Sequence, residues 1–351
     1  MSYFLIFFHA LIVAIMATPV SIVLAKRWGA IDYPSGRRIH LHPIPRLGGL
    51  AIYAAFWLAV IFTVVIFNLK WDMQYWGLLL GSTVILLVGI WDDIKGFRPL
   101  IKLFWQLLAA VILVFFGFSL SFPFLETIPL GDVGGAVVGA ILAVFWVVGL
   151  VNTVNISDGL DGLAAGICFL AALLLFWSAH RIGQFPAAYL TLALAGATLG
   201  FLFYNFHPAQ VFMGDSGSMF LGYVIGGISI MGLLKTATVL GLVFPLLVLG
   251  MPLTDLVFAI IRRKWRGHSI AKADRGHLHH RLLDAGFSQR QAVLLLYALS
   301  ACFGIAAVLL AQGYWLEGLA LFLVEIVFIL IIFLRQMHLS TFLSRRSGDK
   351  R

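Results

Sequence analysis

A chain of 351 residues that is 62% hydrophobic and 11% charged, with a mean hydropathy of +1.02, cannot be a water-soluble globule, because no core of this length could enclose so much apolar surface. Its formal charge of +9 is arranged as an orientation signal, so no nucleic-acid partner is needed to explain it. The only two cysteines, Cys168 and Cys302, lie in apolar runs without polar neighbours, which supports no disulfide or metal framework and reads as small core residues.

Eleven apolar runs are long enough to cross a bilayer, near residues 3–25, 47–67, 74–91, 100–118, 134–152, 162–179, 186–204, 216–234, 237–261, 291–311 and 315–334. The expected fold is an all-α polytopic membrane protein of about 11 transmembrane helices, forming one domain over residues 1–351. Alternating the loops places 21 of the 24 Lys and Arg residues on one side, leaving only Lys70, Arg181 and Lys235 on the other. Basic loops stay cytoplasmic, so the N-terminus is expected outside and the C-terminus inside. Lys26 and Arg27 follow the first run and no basic residue precedes it, which reads as an anchor and not a cleaved signal.

The first run leads into a loop from Lys26 to Arg46 that holds Arg37, Arg38, His40, His42 and Arg46. This is either an anion-binding loop or a topology signal. The third run ends in Trp91-Asp92-Asp93-Ile94-Lys95-Gly96. Adjacent carboxylates at the mouth of a hydrophobic bundle are costly unless a cation or proton compensates them, which points to function. Lys102 and Gln106 follow on the first turns of the next run. Residues 119–133 lack Lys and Arg, and Pro123, Pro129 and Gly131 there suggest an outer turn or short hairpin.

The fifth and sixth runs meet at Asn152-Thr153-Val154-Asn155-Ile156-Ser157-Asp158-Gly159-Leu160-Asp161-Gly162-Leu163-Ala164. Two carboxamides and two carboxylates at steps of three exceed what a capped helix junction requires. Gly159 and Gly162 predict a helix end opening into a turn, from which Asn152, Asn155, Asp158 and Asp161 converge on one bound group. Between the seventh and eighth runs lies Tyr204-Asn205-Phe206-His207-Pro208-Ala209-Gln210-Val211-Phe212-Met213-Gly214-Asp215-Ser216-Gly217-Ser218. A carboxylate at a glycine-flanked helix start suits a metal–phosphate pair, the alternative being Asp215 as a plain N-cap. The longest polar stretch, 262–290, contains Arg275-Gly276-His277-Leu278-His279-His280-Arg281, where flanking cations favour anion binding over zinc.

Acids to hold Mg²⁺, together with Arg, Lys and His to hold phosphate, all on one membrane face, are the equipment of phosphoryl transfer. Five motifs in order carry a resemblance over residues 35–290: Pro45-Arg46-Leu47-Gly48-Gly49, Asp92 to Gly96, Asn152 to Ala164, Asn205 with Phe212 to Ser218, and His277 to Arg281. The chain resembles the polyprenyl-phosphate N-acetylhexosamine-1-phosphate transferases of the WecA and TagO type, with phospho-N-acetylmuramoyl-pentapeptide transferase as a more distant relative.

The resemblance implies attack by a lipid phosphate on a UDP-N-acetylhexosamine, releasing UMP, at the cytoplasmic face of the inner membrane. It implies Mg²⁺ as cofactor, with Mn²⁺ as a substitute. Asp215 would be the principal metal ligand, helped by Asn155. The catalytic candidates are Asp92, matching the position that deprotonates or orients the lipid phosphate, with Asp93 beside it, and Asp158 and Asp161, which would position the nucleotide sugar. The substrate-binding candidates are Arg46, Lys102, Asn152, Asn205, Phe212, His277, His279, His280 and Arg281. The His-x-His-His-Arg form is similar to the UDP-N-acetylglucosamine enzymes. The partners implied are the two substrates and the bilayer, with a homodimer left open. The alternatives are the muramoyl-pentapeptide enzyme and, from another class, a secondary transporter or lipid flippase, which should instead place its ionisable groups near the bilayer midplane.

Overall fold

The structure, a computed structural model, describes residues 2–34, 42–120, 131–232 and 278–348, with isolated positions between 250 and 264 and side chains of the last helix as far as residue 331. The helices follow the apolar runs: α1 (Ser2–Trp28), α2 (Gly48–Ile66), α3 (Met73–Lys95), α4 (Pro99–Phe115), α5 (Gly131–Ser157), α6 (Leu163–Arg181), α7 (Phe185–Asn205), α8 (Gly214–Gly232), the short α9 (Leu278–Asp284), α10 (Gln289–Ala311) and α11 (Trp315–Gly348). Among the described residues, seven helices, α1, α2, α3, α5, α6, α7 and α10, are long and apolar enough to cross a membrane. Side chains such as Met16, Leu100, Phe115 and Val133 are 70% exposed or more, which only a lipid environment makes inexpensive. The protein is a polytopic membrane protein. Most of the run at 237–261, the loop residues Arg37, Arg38 and His40, the turn residues Pro123 and Pro129, and His277 lie outside the described residues.

One element departs from the all-α expectation. Strands β1 (Ile31–Asp32) and β2 (Ile44–Pro45) form a two-residue antiparallel ladder, Ile31 opposite Pro45 and Asp32 opposite Ile44. Two residues carry no readable alternation, so sequence periodicity could not reveal it. The ladder has a purpose in placement. Arg46 N–H donates to the Ala30 carbonyl at 2.9 Å, and Ala25, Ala30 and Leu47, all fully buried, pack with Ile90 of α3 beneath it. Arg46 therefore leaves a fixed base.

The chain divides into two compact units, Met1–Pro245 and Leu246–Arg351. In the first, α8 is the innermost helix: every side chain from Ser216 to Met231 is buried, among α2, α3, α5, α6 and α7. Its start is drawn tightly against α2, because a Cβ on Gly49 would collide with the backbone of Ser216 and Gly217. Small residues permit such close backbone approach in membranes, where packing rather than water exclusion drives association. In the second unit, α10 opens with a capping box, Ser288 and Gln291 exchanging hydrogen bonds, and pairs with α11 through Phe303 and Phe322, ring centroids 5.9 Å apart.

Candidate active site

Four segments of the first unit bring their polar residues together: the β2–α2 link, the last turn of α3 with the start of α4, the end of α5, and the first turn of α8. Arg46 Nη2 lies 3.3 Å from Asp93 Oδ1 and 3.4 Å from Asp215 Oδ2. The Lys102 ammonium pairs with Asp92 Oδ2 and stands 3.2 Å from Asp215 Oδ1. Asn155 Nδ2 donates to Asp215 Oδ1 at 2.6 Å and to Ser218 Oγ at 2.9 Å. Asp215 is thus the common neighbour of two cations and a carboxamide.

Asp92 and Asp93 are adjacent in sequence, yet their surroundings differ. Asp92 lies in the last turn of α3: one carboxylate oxygen accepts from the Phe97 N–H and the other meets Lys102. The Asp93 side chain is completely enclosed, and accepts from Asp215 N–H at 2.8 Å and Ser216 N–H at 3.1 Å. Gly214 makes this approach feasible. It adopts φ +73°, and a Cβ there would strike both the Arg46 carbonyl and the Asp93 carboxylate.

The expectation that Asn152, Asn155, Asp158 and Asp161 converge on one group is corrected. Asn152 turns away from the cluster, donating to Gln106 Oε1 and to the Val148 carbonyl, both at 2.8 Å. Asp161 Oδ2 accepts from Ala209 N–H at 3.1 Å and meets His207 Nδ1 at 2.7 Å. Helix α5 runs on to Ser157, so Asn152 and Asn155 still sit on a regular helix about 60° apart, and only the residues after it turn. Of the four, Asn155 alone hydrogen-bonds Asp215. Burial, and after it the charge of Asp215, push the Asp158 carboxyl up to about 7; Arg46 opposes the shift and Asp161 adds to it.

Asn205 is a brace. It accepts from Gly162 N–H at 3.1 Å and donates to the Val211 carbonyl at 2.9 Å, fastening the 158–162 turn to the loop before α8. Phe212 lies in that loop, its N–H bonded to the Pro45 carbonyl and its carbonyl to Gly48 N–H. In the second unit, Leu278, His279, His280 and Arg281 fall on α9, with Arg281 buried.

The profile of Glycosyl transferase family 4 matches residues 75–233, which contain four of these segments' key carboxylates. A Bacillus subtilis (strain 168) protein named as a probable undecaprenyl-phosphate N-acetylglucosaminyl 1-phosphate transferase is 38% identical over 334 residues, covering 94% of this chain and 89% of the relative. The chain belongs to glycosyl transferase family 4. Other members are similar along most of its length. The Mycobacterium leprae (strain TN) decaprenyl-phosphate N-acetylglucosaminephosphotransferase is 38% identical over 82% of this chain and 78% of its own. The phospho-N-acetylmuramoyl-pentapeptide-transferase of Anoxybacillus flavithermus (strain DSM 21510 / WK1) is 33% identical over 85% of this chain and 94% of its own.

This family 4 chain carries a charge surplus at the site. Asp92, Asp93, Asp158 and Asp215 face two cations, Arg46 and Lys102, so two negative charges lack a partner when all are ionised. A divalent cation would offset that surplus. The donors are all hard oxygen groups, and Mg²⁺ takes one or two carboxylates, completing its shell with water and substrate phosphate. Asp215 and Asn155 fit the role. Gln106 stands out in the sequence beside Lys102, whereas Ser218 and His207 were not singled out as partners of these residues. His207 was the more accessible of those two, as a histidine in a polar loop between two apolar runs.

Proposed function

We propose that the chain transfers N-acetylglucosamine 1-phosphate from UDP-N-acetylglucosamine to a polyprenyl phosphate such as undecaprenyl phosphate, releasing UMP and initiating cell-envelope polysaccharide synthesis. The names of the relatives support the reaction class, and the His-x-His-His-Arg motif, His277 to Arg281, supports the donor. The observation that carries the reading is the placement of Asp92 and Asp215, from two different helices, on either side of the one Lys102 ammonium. A lipid phosphate and a nucleotide diphosphate need such a shared, cation-lined meeting point.

In this reading the lipid phosphate binds at Lys102, and Asp92 takes its proton or orients it. One phosphate oxygen forms the new bond to the β-phosphorus while the bond to the UMP oxygen breaks. Arg46 holds the diphosphate, and Asp158 helps to position the nucleotide sugar. Mg²⁺, when bound, neutralises the diphosphate, and Asp215 with Asn155 would hold it. The N-terminus lies outside and the C-terminus inside, with the site at the cytoplasmic face of the inner membrane. The distribution of 21 of the 24 basic residues supports this orientation.

The test is an assay of purified protein against a panel of UDP-sugars with undecaprenyl phosphate and Mg²⁺, reading the lipid product by mass. UMP release that requires both substrates, with UDP-N-acetylglucosamine the best donor, is expected. Release from the UDP-sugar without lipid phosphate, or transport without turnover, would refute the reading.

A further inference from the structure

The second carboxylate of the Asp92-Asp93 pair is placed unlike a reacting group. Its side chain has no solvent exposure, and three donors occupy it: Arg46 Nη2 and Asp215 N–H at Oδ1, and Ser216 N–H at Oδ2. A carboxylate offers about four lone-pair positions on two oxygens, so little remains for a substrate. The first N–H groups of a helix have no partner within it, and a side chain at the helix start ordinarily accepts from them. Met213 and Gly214, which precede Asp215 here, have no such acceptor to offer.

Resting on the transfer reaction proposed above, we infer that Asp93 is a positioning residue: it caps α8 from α3, and with Arg46 it fixes the start of α8 so that the Asp215 carboxylate faces Asp92 and Lys102. The cap joins groups 122 and 123 residues apart in sequence. A carboxyl acceptor at the helix start satisfies donors that lipid could not. Asp92, whose carboxylate meets the partly exposed Lys102, is left as the member of the pair that can reach a lipid phosphate. The glycine before Asp215 belongs to the same device, since a methyl at Gly214 would occupy the space the Asp93 carboxylate needs.

The experiment compares Asp93→Asn, Gly214→Ala and Asp92→Asn in detergent-purified protein. Hydrogen exchange at the amides of Asp215 and Ser216, thermal unfolding, and the Mg²⁺ concentration for half-maximal turnover are measured for each. Asp93→Asn and Gly214→Ala should both speed exchange at the first turn of α8 by at least about tenfold, lower the unfolding temperature, and raise the Mg²⁺ requirement. Both should keep the pH–rate limb that Asp92→Asn removes. The inference is overturned if Asp93→Asn exchanges and unfolds like the parent but loses turnover together with the pH limb, because that is the signature of a proton-transferring group. It is equally overturned if Gly214→Ala leaves exchange and Mg²⁺ response unchanged. If Asp93→Asn fails to insert, Gly214→Ala decides alone, since it leaves the carboxylate chemistry intact. Exchange and unfolding need no turnover, so failure of the transfer reaction itself would leave the capping test standing.

Discussion

Asn155 donates through Nδ2 to Asp215 Oδ1 at 2.6 Å, joining the last turn of α5 to the first turn of α8 at a carboxylate that Arg46 and Lys102 also touch. Each of these contacts comes from a different segment, so Asp215 registers the whole constellation. A hydrogen bond to a charged group contributes about 1.5–3 kcal/mol, and a tenfold rate change corresponds to about 1.4 kcal/mol. Asn155→Ala is therefore expected to lower turnover roughly 10- to 100-fold. An unchanged kcat in a steady-state assay of that variant would remove Asn155 from the site.

Asp215→Asn is expected to abolish activity at every Mg²⁺ concentration while the protein still inserts in the membrane. The carboxamide keeps an oxygen but loses the charge that offsets a divalent ion. Chelation with EDTA should silence the parent enzyme, and added Mg²⁺ should restore it. Full activity of Asp215→Asn at high Mg²⁺ would contradict the metal assignment.

Asp92→Asn should lower turnover more than it weakens UDP-sugar binding, measured by calorimetry on the purified protein. The reason is that its carboxylate meets Lys102, where the lipid phosphate is proposed to bind, and the nucleotide is proposed to lie elsewhere. Lys102→Met should raise the KM for lipid phosphate and lower thermal stability as well, because Asp92 is only 5% exposed and loses its cation. Equal losses of UDP-sugar affinity and turnover in Asp92→Asn would place that residue on the nucleotide instead.

Asp158 supplies a pH dependence with a definite sign. Its carboxyl is pushed from the ordinary carboxylate range up to about 7. Between those limits the folded protein holds a proton that the unfolded chain has released, so this group's contribution falls as pH rises toward 7 and levels off above it. Asp158→Asn removes the titration. The unfolding temperature of that variant relative to the parent should climb from about pH 4 to about pH 7. A difference that stays constant across that window would show that Asp158 is ionised throughout.

The membrane architecture was legible because a long apolar run admits few alternatives to a buried helix, and ten such runs coincide with described helices. The polar motifs were legible for the complementary reason. In so apolar a chain, Asp92, Asp158 or Asp215 would be costly without a compensating partner. Their partners were not legible. Asn152 and Asn155 read alike in sequence, yet one bonds Gln106 in α4 and the other Asp215 in α8. Asn205 read as a substrate-binding candidate, and its bonds to Gly162 N–H and the Val211 carbonyl were not foreseen.

By itself the sequence determined how many times polarity interrupts the hydrocarbon-length runs and which side chains sit at those interruptions, because helix length and desolvation cost are local properties. Which of those side chains touch was decided only by tertiary packing. Asp92 and Asp93 differ by one position, about 100° around the same helix, and that rotation gives Asp92 to the Lys102 ammonium and Asp93 to the backbone of α8.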